Sequence, residues 1–126
     1  MERVLGIGGL FFRARDPEAL RTWYERHLGV TRTPEDYDSE PWRQEAGPTV
    51  LQPFPETTDY FGDASRRWMV NFRVRDLDAM IAQLRGAGIS VTPDPQEYPN
   101  GRFARLEDPE GNPIELWEPR ERPAAK

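Results

Sequence analysis

Apolar and polar residues alternate over two short stretches of the chain. In the first, Leu10, Phe12 and Ala14 alternate with Gly9, Phe11 and Arg13. In the second, Val70, Phe72 and Val74 alternate with Met69, Asn71 and Arg73. Period two predicts a strand in each, with the more apolar even-numbered set under a helix and the odd-numbered set on the other face of a sheet. Directly after each stretch the period becomes helical. Leu20, Trp23, Tyr24 and Leu28 form one buried stripe, and Leu77, Met80, Ile81 and Leu84 form another. Asp16 and Asp76 precede these stripes and suit N-caps, because a carboxylate accepts from the free N–H groups of a first turn. Pro17 fits the first helical position, and Gly29 and Gly88 suit helix ends.

The two stretches are also a repeat in letters. Phe12-Arg13-Ala14-Arg15-Asp16-Pro17-Glu18-Ala19 returns, sixty residues on, as Phe72-Arg73-Val74-Arg75-Asp76-Leu77-Asp78-Ala79, with five of eight positions identical. The match falls twice at the same strand-to-helix junction, which argues for duplication rather than chance. The remainder of each half reads as strands. Trp42–Glu45 and Thr49–Phe54 flank an Ala-Gly-Pro turn, and Arg102–Leu106 and Ile114–Trp117 flank the turn Asp108-Pro109-Glu110-Gly111-Asn112-Pro113. Thr31–Pro41 reads as loop and Pro119–Lys126 as a frayed tail. The expectation is one α+β domain over 1–126, made of a first module at 1–63 and a second at 64–126. The boundary lies near Phe61–Arg66, with no low-complexity linker.

Composition narrows the class. With 126 residues, 37% hydrophobic and 11% aromatic, the chain has the makings of one core and is not a disordered sequence. No apolar run approaches the ~20 residues of a bilayer span. Met1–Leu10 lacks a signal-peptide core, so a cytoplasmic location is expected and no membrane partner. The absence of cysteine excludes disulfides, thiolate chemistry and Cys-based zinc sites. A net charge of −5 argues against a nucleic-acid partner. Every basic residue except Lys126 is arginine, which reads first as compositional bias.

The duplicated Phe-Arg-x-Arg-Asp junction, the Trp23-Tyr24…Leu28-Gly29 helix end and the final Glu107-Asp108-Pro109-Glu110-Gly111-Asn112-Pro113-Ile114-Glu115-Leu116 together resemble the vicinal oxygen chelate superfamily. This group includes glyoxalases, bleomycin-resistance proteins and extradiol dioxygenases. The resemblance spans roughly residues 4 to 119 and is most specific in the last motif. It implies two tandem βαβββ modules forming an incomplete barrel around a cavity, closed within one chain or across a dimer. It further implies, for metal-using members, His or Glu ligands on the cavity side of the first and last strands of each module. Carried onto this chain, the first-strand positions are Gly9 and Met69, neither a ligand for a hard cation, while the last-strand Glu is Glu115. Its first-module counterpart falls at Leu51 or Gln52, with the register open. The only histidine, His27, lies near a helix end. A divalent site needs three or more protein ligands as a rule, so no metal and no cofactor are expected.

Glu115 is the candidate acid/base or ligand-binding carboxylate, in phase with Trp117 and opposite Ile114 and Leu116. Its bland alternative is an ion pair with Arg73 or Arg13. The candidate binding surface is Met69, Asn71, Glu115 and Trp117, with Phe11 and Phe103 beside them. Trp42 and Tyr98 are further candidates for its walls, with core packing the alternative for Trp42. Arg13 and Arg73 could grip an anion but sit at strand ends. Asp16 and Asp76 are explained by capping, Trp23 and Tyr24 by packing, His27 by the helix dipole, and Asn100-Gly101 by a turn. Two functions follow. One is a metal-free binding protein for a small aromatic or cationic molecule, similar to the bleomycin-resistance branch. The other is a metal-independent lyase or isomerase using Glu115. The partners expected are that small molecule and a second copy in a homodimer.

Overall fold

The structure, a computed structural model, describes residues 1–120. Its elements are α1 (Pro17–Leu28), β1 (Val70–Arg73), α2 (Leu77–Gly86), β2 (Thr92–Pro93), β3 (Gly101–Glu107) and β4 (Pro113–Pro119). The four strands form one mixed sheet in the order β1-β4-β3-β2. β1 runs parallel to β4, and the other two pairings are antiparallel. No helix among the described residues is long and apolar enough to cross a membrane.

The helices begin where the sequence places them. Asp16 and Asp76 accept from the N–H groups of Ala19 and Ala79 at 3.1 and 3.0 Å, the same cap at equivalent positions of the repeat. A second carboxylate serves each start: Glu110 accepts from the N–H groups of Arg15 and Asp16, and Glu118 from that of Leu77. Negative charge there is favoured by the helix dipole as well as by the free donors. Gly29, at φ 73°, ends α1 in the left-handed conformation. α2 ends at Gly86 with Ala87 as C-cap, and Gly88 takes the positive φ directly after it.

The core lies between α2 and one face of the sheet. Leu77, Ile81 and Leu84 pack with Val91, Ala104, Leu106, Ile114 and Leu116, all buried. Val70 and Phe72 of β1 and Val74, just after it, complete the core. Tyr24 brings α1 onto this core: its ring meets both Phe12 and Phe72, the equivalent phenylalanines of the repeat, edge-on at 6.2 and 6.3 Å. Its hydroxyl donates to Asp108. The Asp108–Pro113 turn is therefore a clasp. Asp108 is 4% exposed and accepts from Tyr24, from the N–H groups of Glu110 and Asn112, and from the Asn112 amide. Arg66 closes it by donating to Asn112 Oδ1 and the Glu110 carbonyl.

The first half departs from expectation. Among the described residues no strand precedes Val70, so Leu10–Ala14, Trp42–Glu45 and Thr49–Phe54 are not strands here. Nor does any backbone–backbone hydrogen bond join residues 4–14 or 42–54 to another segment. Alternation gives a segment two faces but no partner, and a strand exists only in a ladder. Pro48 and Pro53 also remove donors from the later stretch. The sheet is accordingly open, not closed into a barrel. In the second half the strands run further than the pattern predicts. β4 takes in Pro119, and Arg120 donates its N–H to Asn100, which corrects the expected tail. The rest of that tail, 121–126, lies outside the described residues.

Candidate functional site

Strand register sets two rows on the face of the sheet away from α2. Asn71, Glu115 and Arg105 lie side by side across β1, β4 and β3. Arg73, Trp117 and Phe103 form the next row. The predicted alternation thus brings Asn71, Glu115, Trp117 and Phe103 to one face, while Ile114 and Leu116 are buried beneath α2. Met69 precedes β1 in phase with Asn71 and is half-buried. Phe11 is not brought in: it is 91% exposed, with its ring against Gly9. Trp42 is exposed as well.

Both oxygens of Glu115 are engaged. Oε1 accepts from the Asn71 amide at 2.7 Å, and Oε2 accepts from the Tyr60 hydroxyl. Neither Arg73 nor Arg13 pairs with it. Arg73 donates instead to the Glu45 carbonyl, and its guanidinium packs so close to Gly47 that a Cβ there would meet Nη1 at 2.0 Å. Arg105, opposite Glu115, donates to the Tyr60 carbonyl at 2.5 Å and holds its guanidinium 4.6 Å from the centre of the Tyr60 ring. Its Nε is buried with no hydrogen-bond partner among the described residues. Burial, and then the neighbouring Glu115, push the Tyr60 hydroxyl up to about 12, so it is protonated at neutral pH and donates.

Trp117 is 8% exposed and stacks on Phe103 across the strands, with centroids 6.2 Å apart and planes at 3°. Its indole donates to the Asn100 carbonyl at 2.9 Å, so the Asn100–Gly101 turn orients the ring. Tyr98 meets Phe103 edge-on. The face therefore offers a carboxylate, a guanidinium and an aromatic wall within two rows of a rigid sheet. Two segments of the first half cross it, at Glu45–Gly47 through Arg73 and at Tyr60 through Glu115 and Arg105. Tyr60 and Arg105 were not singled out from the sequence. Arg105 was available by alternation, in phase with Phe103; Tyr60 lies outside any periodic segment and carries no such signal. An open hollow of about 420 Å³ lies elsewhere, between the start of α1 and Pro109–Glu110, and no candidate site residue lines it.

The residues do not fit a divalent cation. Gly9 and Met69 supply no hard donor, Glu115 is taken by Asn71 and Tyr60, and among the described residues no three His, Cys, Asp or Glu are grouped to hold an ion.

Helices on one face of a mixed sheet, a duplicated strand-to-helix junction and a carboxylate on the opposite face define a vicinal oxygen chelate protein. The chain belongs to the family described as the Glyoxalase-like domain, which it matches over residues 9–117. Among solved structures it is similar to an antibiotic binding protein, TnmS3, from Streptomyces sp. CB03234. That match has 26% identity over 83% of this chain and 88% of the other, with a TM-score of 0.53. A glyoxylase/bleomycin resistance protein/dioxygenase domain from Frankia sp. EAN1pec shares the fold at 20% identity, over 94% of this chain and all of its own, with a TM-score of 0.59. A glyoxalase/bleomycin resistance protein from Streptomyces sp. CB03234 is 39% identical, but over only 39% of this chain and 42% of that one, at a TM-score of 0.36. No curated protein matches the chain.

Proposed function

We propose that this chain is a glyoxalase/bleomycin-resistance-like protein that binds a small organic molecule, without metal, on the sheet face bearing Asn71, Phe103, Glu115 and Trp117. The observation that carries this reading is the adjacency of a carboxylate row and an aromatic row on one side of the sheet. Aromatic walls with a few convergent polar groups are the usual make-up of a small-molecule site. The similarity to an antibiotic binding protein supports binding rather than turnover. In the same reading, 1–63 and 64–126 are two βαβββ modules that enclose the site as an incomplete barrel. A second copy completes it in a cytoplasmic homodimer, and Met69 and Phe11 join the wall when the first half pairs.

The test is tryptophan fluorescence against a panel of aromatic antibiotics and small carbonyl compounds, followed by chromatography of the bound compound. The expected result is saturable quenching, weakened in Glu115→Gln, with the compound recovered unchanged. Chemical conversion that Glu115→Gln abolishes would instead make Glu115 the acid/base of a metal-independent lyase or isomerase. No response from any compound would overturn the binding reading.

A further inference from the structure

Tyr60 is held on the face by contacts that are chemically those of a bound molecule. It belongs to no helix or strand. Its ring stacks on Phe54 at 6.0 Å, and Phe54 in turn meets Phe61, so a small aromatic cluster carries it across the sheet. Its hydroxyl donates to Glu115, and its ring lies over the Arg105 guanidinium. Beneath it lies Arg105 Nε, a buried side-chain donor with no acceptor among the described residues. A buried donor without a partner is costly and is normally met by protein, water or ligand.

We propose that Tyr60 is a built-in stand-in for the ligand, and that the site takes a neutral hydroxy-aromatic molecule whose hydroxyl replaces the Tyr60 phenol on Glu115 and whose ring replaces the Tyr60 ring over Arg105. This inference rests on the binding reading above and names the ligand class for the same face. The match is in chemistry at each point. Glu115 has one oxygen fixed by Asn71 and offers the other to an O–H donor. Arg105 presents a flat cation to a π-face. The hydroxyl that now fills the place stays protonated through neutral pH. Half-buried Phe103, one row away and backed by the buried Trp117, extends the aromatic surface beyond the span of a single phenol. A larger fused ring therefore gains contacts that Tyr60 does not make. Because Tyr60 is tethered, it competes at a high effective concentration, and removing it must tighten binding of the true occupant.

The experiment compares 2-naphthol with 2-methoxynaphthalene, the same ring with its donor capped. Wild type, Tyr60→Ala, Tyr60→Phe and Glu115→Gln are titrated by calorimetry, and the Trp117 indole N–H resonance reports location. The expected result is that 2-naphthol shifts that resonance and binds wild type roughly tenfold more tightly than the methyl ether, the worth of one charge-assisted hydrogen bond. Tyr60→Ala tightens 2-naphthol several-fold; Tyr60→Phe, which keeps the ring, does so in the same direction. Glu115→Gln removes most of the preference for the hydroxyl. If both compounds shift the Trp117 resonance equally well, and neither Tyr60 variant tightens binding, the stand-in is wrong while the face remains a binding site. If neither compound moves the resonance, even in Tyr60→Ala, the binding face itself is wrong and this inference falls with it.

Discussion

The Tyr24 hydroxyl donates to Asp108 Oδ2 at 2.7 Å, joining two residues 84 positions apart. One is on the helix of the first half, and the other opens the Asp108–Pro113 turn. The bond explains why an acid stands at the head of that turn. Asp108 holds the turn's backbone amides with Oδ1, and with Oδ2 both the Asn112 side chain and Tyr24 of α1. Burial, then the adjacent carboxylate, raise the Tyr24 phenol well above its ordinary 10.0.

Replacing Tyr24 by Phe should keep the fold and lower its stability by roughly 1.5–3 kcal/mol, the range for a hydrogen bond to a charged group. Urea denaturation at neutral pH measures this. The pH dependence has a definite sign. The folded-state pKa is raised, so the stabilisation is fully present below about pH 10 and is lost as pH climbs towards the folded value. Wild type should lose more stability above pH 10 than Tyr24→Phe. Parallel losses would show that the phenol is not the group responsible.

Gly101 has φ 135°, and a Cβ there would meet the Glu118 carbonyl at 2.2 Å and Trp117 Nε1 at 2.8 Å. Gly101→Ala should therefore cost at least roughly 1–3 kcal/mol from the backbone conformation. It should also tilt Trp117 off the Asn100 carbonyl. Thermal melting reads the first effect and near-ultraviolet circular dichroism the second.

The donor set predicts that protein purified under mild conditions carries no stoichiometric zinc, nickel, iron or manganese. Elemental analysis decides it, and a chelator should leave the melting temperature unchanged. About one metal per chain with a chelator-sensitive melt would contradict the assignment.

Light scattering at micromolar concentration should give twice the 14.6 kDa chain mass. Among the described residues β1 has a ladder partner on one side only, and Leu5, Phe11 and Leu51 stand 105%, 91% and 87% exposed. Free edges and exposed apolar side chains favour pairing with a second chain. A monomer would count against it.

Much of the second half was legible in the sequence. Asp76 marked the start of α2, and the alternation through Ile114, Glu115, Leu116 and Trp117 assigned each to the face it occupies. Glu115 was recognised, but its partners were not: Arg73 and Arg13 were the expected ones, and Asn71 and Tyr60 are the actual ones. The expected ladder over Leu10–Ala14 did not form, although its Phe12-Arg13 repeats Phe72-Arg73 of β1.

The sequence by itself determined what depends on neighbours along the chain. Caps, helical stripes and the face to which each strand residue points follow from backbone geometry repeated every two or 3.6 residues. Only the tertiary structure decided which segments meet. Tyr60 reaches Glu115 across 55 residues, and Tyr24 reaches Asp108 across 84. Such contacts depend on the path of intervening loops that carry no period. The physical reason is that periodicity orients a side chain without naming its partner. A hydrogen bond or a ladder needs that partner within about 3 Å.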